Sequence, residues 1–297
     1  MNADAHGNFA GKHLAILGCG YIGGEVARQA VARGLRVTAV TRNAEKAAGL
    51  RRLGVTAVET NIEGDAWHDA VGTADFALDC VSSGGGGAEA YRRSYLAGMK
   101  SVLAWAAAQG SVDTLVYTSS TSVYPQDGGS RIDETAPVAG RDERTAVLVE
   151  TERLLRAVPS AARRRVVLRL AGIYGPGRTH LLKQVQSGEV SGTGLQHLNL
   201  IHRDDVCGAI WAVLGTPALA EDGVFNVVDD GAATKEEIVS WLASQLGRPA
   251  PRLTGEPAGG RAPVPDRIIA NDRLKAAGGW NLIFPSFREG YASLLSR

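Results

Sequence analysis

Residues 16–24 read Ile-Leu-Gly-Cys-Gly-Tyr-Ile-Gly-Gly, which sets Gly18, Gly20 and Gly23 in the spacing G-x-G-x-x-G. An apolar run from His13 to Leu17 reads as a strand before them, and Ile22 to Arg33 reads as a helix after them. A second strand-like run, Arg36 to Val40, completes the order of a βαβ unit. In that context the first glycine permits a tight turn, the second lets the backbone approach a ligand, and the third brings helix and sheet together. The start of the helix then faces an anion, as it does where a dinucleotide pyrophosphate is held. The alternative is a glycine-rich strand-to-helix turn that holds no ligand.

The pattern continues along the chain. Strand-like runs recur at Val55 to Val58, Phe76 to Val81, Thr114 to Ser119 and Val167 to Leu170, with amphipathic stretches at about Ala88 to Gln109 and Glu143 to Val158 between them. This alternation predicts an α/β fold, a Rossmann-type doubly wound parallel sheet. From about Gly172 onward glycine and proline become more frequent, which predicts a smaller C-terminal substrate lobe over the carboxyl ends of the strands. Residues 1–171 are expected to form the dinucleotide-binding core. Residues 172–297 are expected to form mainly the substrate lobe, with some segments returning to the core. Thr234-x-x-Glu237 is a capping box for a helix from Lys235 to Leu246, stopped by Gly247 and Pro249. Gly255 to Pro265 reads as an exposed loop.

Composition narrows the partners. The 297 residues carry 32 Lys plus Arg against 31 Asp plus Glu, a net charge of +1, which argues against a nucleic-acid surface. Cys19, Cys80 and Cys207 have neither C-x-x-C nor zinc spacing and read as reduced structural residues. No apolar span is long enough for a bilayer, and Met1-Asn2-Ala3-Asp4 lacks the pattern of a secretory signal, so no membrane partner and a cytoplasmic location are expected. No metal site is expected, since no His or carboxylate pair has ligand spacing.

Several further motifs carry a resemblance. Leu-Val-Tyr-Thr-Ser-Ser-Thr-Ser-Val-Tyr at 115–124, Asp133-Glu134-Thr135, Gly172-Ile173-Tyr174-Gly175-Pro176-Gly177-Arg178, Ile201-His202-Arg203-Asp204-Asp205-Val206 and Phe225-Asn226-Val227-Val228-Asp229 lie beyond the glycine turn. With them the chain resembles the extended and atypical short-chain dehydrogenase/reductases, in particular the NAD-dependent epimerase/dehydratase-like group. Two departures stand out. Leu17 occupies the first glycine position of the G-x-x-G-x-x-G usual in extended members. Registered on Val149-Glu150-Thr151-Glu152-Arg153-Leu154-Leu155, the family's Tyr-x-x-x-Lys pair falls on Arg144 and Leu148.

Hydride delivery to a carbonyl leaves an alkoxide that needs a proton, and an arginine with a pKa above about 12 has none to give near neutrality. The resemblance leaves Ser120, at a strand end, as a hydrogen-bond donor to a substrate oxygen; the alternative is a hydroxyl that only satisfies the strand end. Tyr124 and Tyr174 are the phenols that can replace the missing acid. Ser120, Tyr124 and Arg178 are expected to contact the substrate; the resemblance points Arg178 to the cleft, where it can bind an anionic group of the substrate or of the cofactor. His202 and Asp205 read as architectural residues at a helix start, and His180 and His197 as isolated.

The expected cofactor set is Gly18, Gly20, Tyr21, Ile22 and Gly23 at the turn, Thr41, Arg42, Asn43 and Lys46 after the second strand, and Ser82 after the fourth. Val40-Thr41-Arg42-Asn43 offers no acid for a pair of ribose hydroxyls, whereas Arg42 can fork onto a 2′-phosphate, so NADP is expected over the alternative, NAD. Arg42 as a solvated surface charge is the competing account. Two functions remain: an NADP-dependent oxidoreductase or epimerase-like enzyme acting on a small molecule through a non-standard proton relay, or a catalytically inactive dinucleotide-binding sensor or partner protein. By the resemblance, a homodimer through the helices after the fourth and fifth strands is also an expectation.

Overall fold

The computed structural model describes residues 9–110, 112–216, 222–256 and 264–296. The chain start Met1 to Asp4 and residues 257–263 of the expected Gly255–Pro265 loop lie outside the described residues.

Seven strands form the central sheet: β1 (His13–Leu17), β2 (Arg36–Thr41), β3 (Thr56–Glu59), β4 (Phe76–Asp79), β5 (Thr114–Ser120), β6 (Arg164–Leu170) and β7 (Asp222–Val227). Their order is β3-β2-β1-β4-β5-β6-β7, and every pairing is parallel. Parallel strands need crossovers, which the helices provide: α1 (Tyr21–Ala32), α2 (Ala44–Arg52), α3 (Gly98–Gln109) and α4 (Glu143–Ala157). β1 is buried along its whole length, as a strand covered on both faces must be, which is why its run is apolar without alternation. The order reverses between β1 and β4, and at such a switch point the sheet opens a crevice at its carboxyl ends.

Two elements depart from the sequence expectation by more than a residue or two at an end or in their internal geometry. β6 starts at Arg164, three residues before the apolar run, because its arginines are buried with partners. Arg164 donates to Thr114 Oγ1 at 2.9 and 2.6 Å and to the Thr216 carbonyl at 2.8 Å, and Arg169 pairs with Glu152 at 2.6 Å. A buried guanidinium is tolerated only when so satisfied. The stretch from Ala88 to Gln109 is helical throughout but widens to π geometry over Arg92–Ala97. Such widened turns recur at functional sites, and this one borders the cleft described below.

One apolar cluster packs α1 and α6 (Arg203–Gly215) on one face of the sheet through Val26, Ala27, Ile210 and Val213; another packs α3 on the other through Met99, Val102 and Trp105. A third cluster joins α5 (His180–Ser187), α7 (Lys235–Gln245) and α8 (Phe287–Leu295) into a smaller C-terminal lobe around Leu182, Ile238, Leu242 and Phe287. The Thr234 side chain accepts from Glu237 N–H while the Glu237 carboxylate accepts from Thr234 N–H, so α7 opens with the capping box read from sequence. Asp205 in α6 accepts from the N–H groups of Ile283 and Phe284 at 2.6 and 3.2 Å, tying the C-terminal segment to the core. Among the described residues no helix is long and apolar enough to cross a membrane.

Candidate active site

The carboxyl ends of β1, β2, β4, β5 and β6 border a cleft formed by two pockets that share Gly20, Cys80, Val81 and Ser82. The first pocket lies toward β2. Gly18, Gly20, Thr41, Arg42, Asn43, Lys46 and Ser82 all line it. Gly18 has φ +94°, and a Cβ there would stand 2.7 Å from the Val81 backbone, so only glycine suits both the turn and the packing. A Cβ at Gly20 meets nothing within 4 Å: the space above this glycine is open on the cleft side. Gly23 faces inward, where a Cβ would meet Gly18 O at 2.4 Å and Cys80 Sγ at 2.8 Å. Gly20 is the N-cap of α1 and carries no side-chain cap, leaving the helix start to an external acceptor. A pyrophosphate fits this cradle.

After β2, the Asn43 side chain accepts from Lys46 N–H at 2.8 Å and Thr41 Oγ1 accepts from Asn43 N–H at 3.3 Å. Both oxygens thus serve the start of α2. Arg42 leans toward the loop after β4, with Nη2 3.7 Å from where a Gly84 Cβ would stand.

The second pocket lies toward β5 and β6. Tyr21, Ile22, Ser120, Leu148 and Arg178 line it, so the expected serine, the leucine on which the resemblance registers the family's lysine and the expected anion-binding arginine share one space. Ser120 Oγ accepts from Ser122 N–H at 3.1 Å and caps the short 3₁₀ turn Thr121–Val123, which leaves its hydrogen to donate. Its neighbour Ser119 donates to Glu152 Oε1 at 2.6 Å. Arg144 is exposed and lies outside this lining; its guanidinium stands 5.7 Å from the Tyr91 ring centroid.

Two expected phenols are not in the cleft. Tyr124 is fully buried: its hydroxyl donates to Asn226 Oδ1 at 2.8 Å and accepts from Arg169 Nη1 at 2.8 Å. The 3₁₀ turn after Ser120 carries the tyrosine inward, outside the cleft lining where it was expected, and burial raises its pKa. Tyr174 is 3% exposed, stacked on Tyr291 at 4.6 Å and edge-on to His202 at 5.4 Å, and burial raises its pKa as well. It packs the lobe against the core. His202 accepts from Asp204 N–H at 3.2 Å as the N-cap of α6, the architectural role read for it. His180 lies beside Gln184 and His197 beside Asp266, both outside the cleft lining.

The structure adds Tyr91 and Tyr95, whose rings lie 5.0 Å apart along the cleft wall. Burial pushes the Tyr95 phenol up to about 12. Their signal in the sequence is an aromatic pair four residues apart, with three residues between it and Gly84-Gly85-Gly86-Gly87. Cys80 also lines the cleft but donates to Gly18 O at 3.0 Å, and burial raises its thiol pKa, so it is inert there.

A seven-stranded parallel sheet with a glycine-lined cradle at its switch point defines a Rossmann-type protein of the dinucleotide-dependent oxidoreductase and epimerase class. The chain belongs to the NAD dependent epimerase/dehydratase family, whose model matches residues 14–227. It is similar to Protein YeeZ of Escherichia coli (strain K12), 27% identical over 281 residues that cover 92% of this chain and 97% of that protein. Among solved structures it is similar to a functionally unknown conserved protein from Silicibacter pomeroyi DSS, with 27% identity, 96% and 98% coverage and a TM-score of 0.78. It also shares the fold of the UDP-glucuronic acid 4-epimerase from Bacillus cereus in complex with NAD, with 17% identity, 96% and 100% coverage and a TM-score of 0.79.

These comparisons correct the expected cofactor. Five solved structures similar in fold, at 17–21% identity, are complexes with NAD, which overturns the expectation of NADP.

Proposed function

We propose that the protein is an NAD-dependent oxidoreductase or epimerase-like enzyme whose proton relay does not use a Tyr-x-x-x-Lys pair. The observation that carries this reading is the continuity of the cleft. The cradle at Gly18 and Gly20 opens directly onto Ser120 through the shared floor of Cys80, Val81 and Ser82. NAD, when bound, supplies reversible hydride transfer. The chain's own residues do the rest. The uncapped start of α1 attracts the pyrophosphate, Arg42 and Lys46 bring positive charge beside β2, and Ser120 donates to the substrate oxygen. Leu148, where the family's lysine registers, offers an apolar wall that keeps water from the reacting centre.

Calorimetric titration with NAD tests the first half of the reading. Saturable binding that is lost in Gly20→Val supports it; no binding to the unmutated protein overturns it. For turnover followed by nicotinamide absorbance, Ser120→Ala is expected to lower kcat/KM by about 10²-fold with NAD affinity unchanged. An unchanged kcat/KM removes Ser120 from the chemistry. The binding-only reading is favoured by one observation, the absence of a titratable group at Leu148, and tight NAD binding without turnover on any carbonyl substrate supports that alternative.

A further inference from the structure

The lining of the second pocket combines two kinds of chemistry. Tyr91, Tyr95, Leu148 and Ile173 bring aromatic and aliphatic surface, the two rings 5.0 Å apart and tilted by 46°. Arg178 lines the same pocket and carries the one formal charge among its described lining residues. The remaining polar side chains are serine and threonine hydroxyls, the Cys80 thiol and the phenols of Tyr21, Tyr91 and Tyr95, with no carboxylate and no carboxamide to grip the many hydroxyls of a sugar.

Arg178 is also held in place. Gly175 and Arg178 close a tight turn by exchanging backbone hydrogen bonds of 3.3 and 2.9 Å. Tyr21, from the start of α1, donates its hydroxyl to the Pro176 carbonyl at 2.9 Å and so moors that turn to the cleft. The Arg178 guanidinium stands 5.6 Å from the Tyr21 ring centroid, and Arg203 stands at the same distance. Arg203 is neutralised by Asp204 at 2.8 Å, whereas Arg178 has no acidic partner among the described residues. A moored guanidinium without an acidic partner, in a pocket that aromatic rings also line, recognises a planar anion through two parallel hydrogen bonds.

We propose that the substrate is a flat, apolar or aromatic carboxylate, its ring against Tyr91 and Tyr95 and its carboxylate on Arg178, in preference to a sugar nucleotide. This rests on the NAD-cleft reading above.

The test uses the full-length protein saturated with NAD and three probes: cinnamate, its uncharged amide cinnamamide, and UDP-glucose, each followed by calorimetry and saturation-transfer NMR. Cinnamate is expected to bind at least about tenfold more tightly than cinnamamide, the scale of one charge-assisted contact. Arg178→Gln is expected to erase that difference and Arg178→Lys to restore part of it, while Tyr91→Leu weakens both aromatic probes alike. Phenyl phosphate serves as a further arm, and tighter binding of phosphate than of carboxylate would overturn the assignment of the anion. Equal affinity for acid and amide, or UDP-glucose binding more tightly than cinnamate, overturns the proposal while normal NAD binding keeps the cofactor reading intact. Failure of NAD itself to bind overturns both.

Discussion

Ser120 and Tyr124 stand four residues apart and face opposite ways. The serine keeps a place in the cleft, while the tyrosine is drawn into a buried network with Arg169, Glu152 and Asn226. Tyr124→Phe keeps the ring and deletes one oxygen that serves two partners, so it is expected to lower unfolding free energy by about 1–3 kcal/mol in denaturant melts. NAD affinity is expected to stay within about twofold of the unmutated value, less than the tenfold that 1.4 kcal/mol would produce. A large loss of NAD binding with unchanged stability would contradict this placement. The difference between the two residues was not legible locally. A strand end and a nearby phenol suggest one site, but the partner that fixes Tyr124 lies 102 residues away in β7. The glycines of the cradle were legible, because each answers a constraint set within a few residues by its own turn and helix.

At the scale of an element, α1 shows how one turn divides its duties. Gly20 looks into open space and Gly23 into the sheet, so the two positions separate ligand binding from folding. Gly20→Val is expected to abolish NAD binding with the circular dichroism spectrum and thermal midpoint nearly unchanged, since its side chain takes the pyrophosphate's place. Gly23→Ala is expected to cost about 1–3 kcal/mol of stability through overpacking against Gly18 O and Cys80, and to weaken NAD as a by-product. The reverse pattern, a stable Gly23→Ala and an unfolded Gly20→Val, would refute this division. The strands and helices of this first unit were readable because their apolar periods match their burial. β6 was only half readable: Arg164 and Arg165 break the apolar run, and Thr114, the side-chain partner that lets Arg164 be buried, belongs to another strand.

For the whole molecule, buried acids set the response to pH. Burial pushes Asp79 up to about 7, Asp205 to about 6 and Asp229 to about 8, and the second oxygen of Asp79 has no hydrogen-bond partner among the described residues. Unfolded, each carboxyl titrates near about 4. Below that value both states hold the proton and the contribution is fully present. As pH rises toward the folded value, only the folded state keeps the proton, so stability falls by about 1.4 kcal/mol per pH unit for each such group. Denaturant melts are expected to show lower stability at pH 8 than at pH 5, and Asp79→Asn is expected to shrink that loss by roughly 2–3 kcal/mol. A parallel profile in the variant would refute the assignment to Asp79. The strand order also governs how the chain acquires its shape during synthesis. β1 is made first yet ends at the centre, so growth proceeds outward to β3 on one side, then returns to add β4 through β7 on the other. One edge of β1 therefore remains an open ladder of hydrogen-bonding groups until Phe76–Asp79 emerges, and the sheet gains its last strand only after residue 222 is made. The nascent chain passes through a half-built sheet with one apolar edge exposed, the interval in which a chaperone has most to protect.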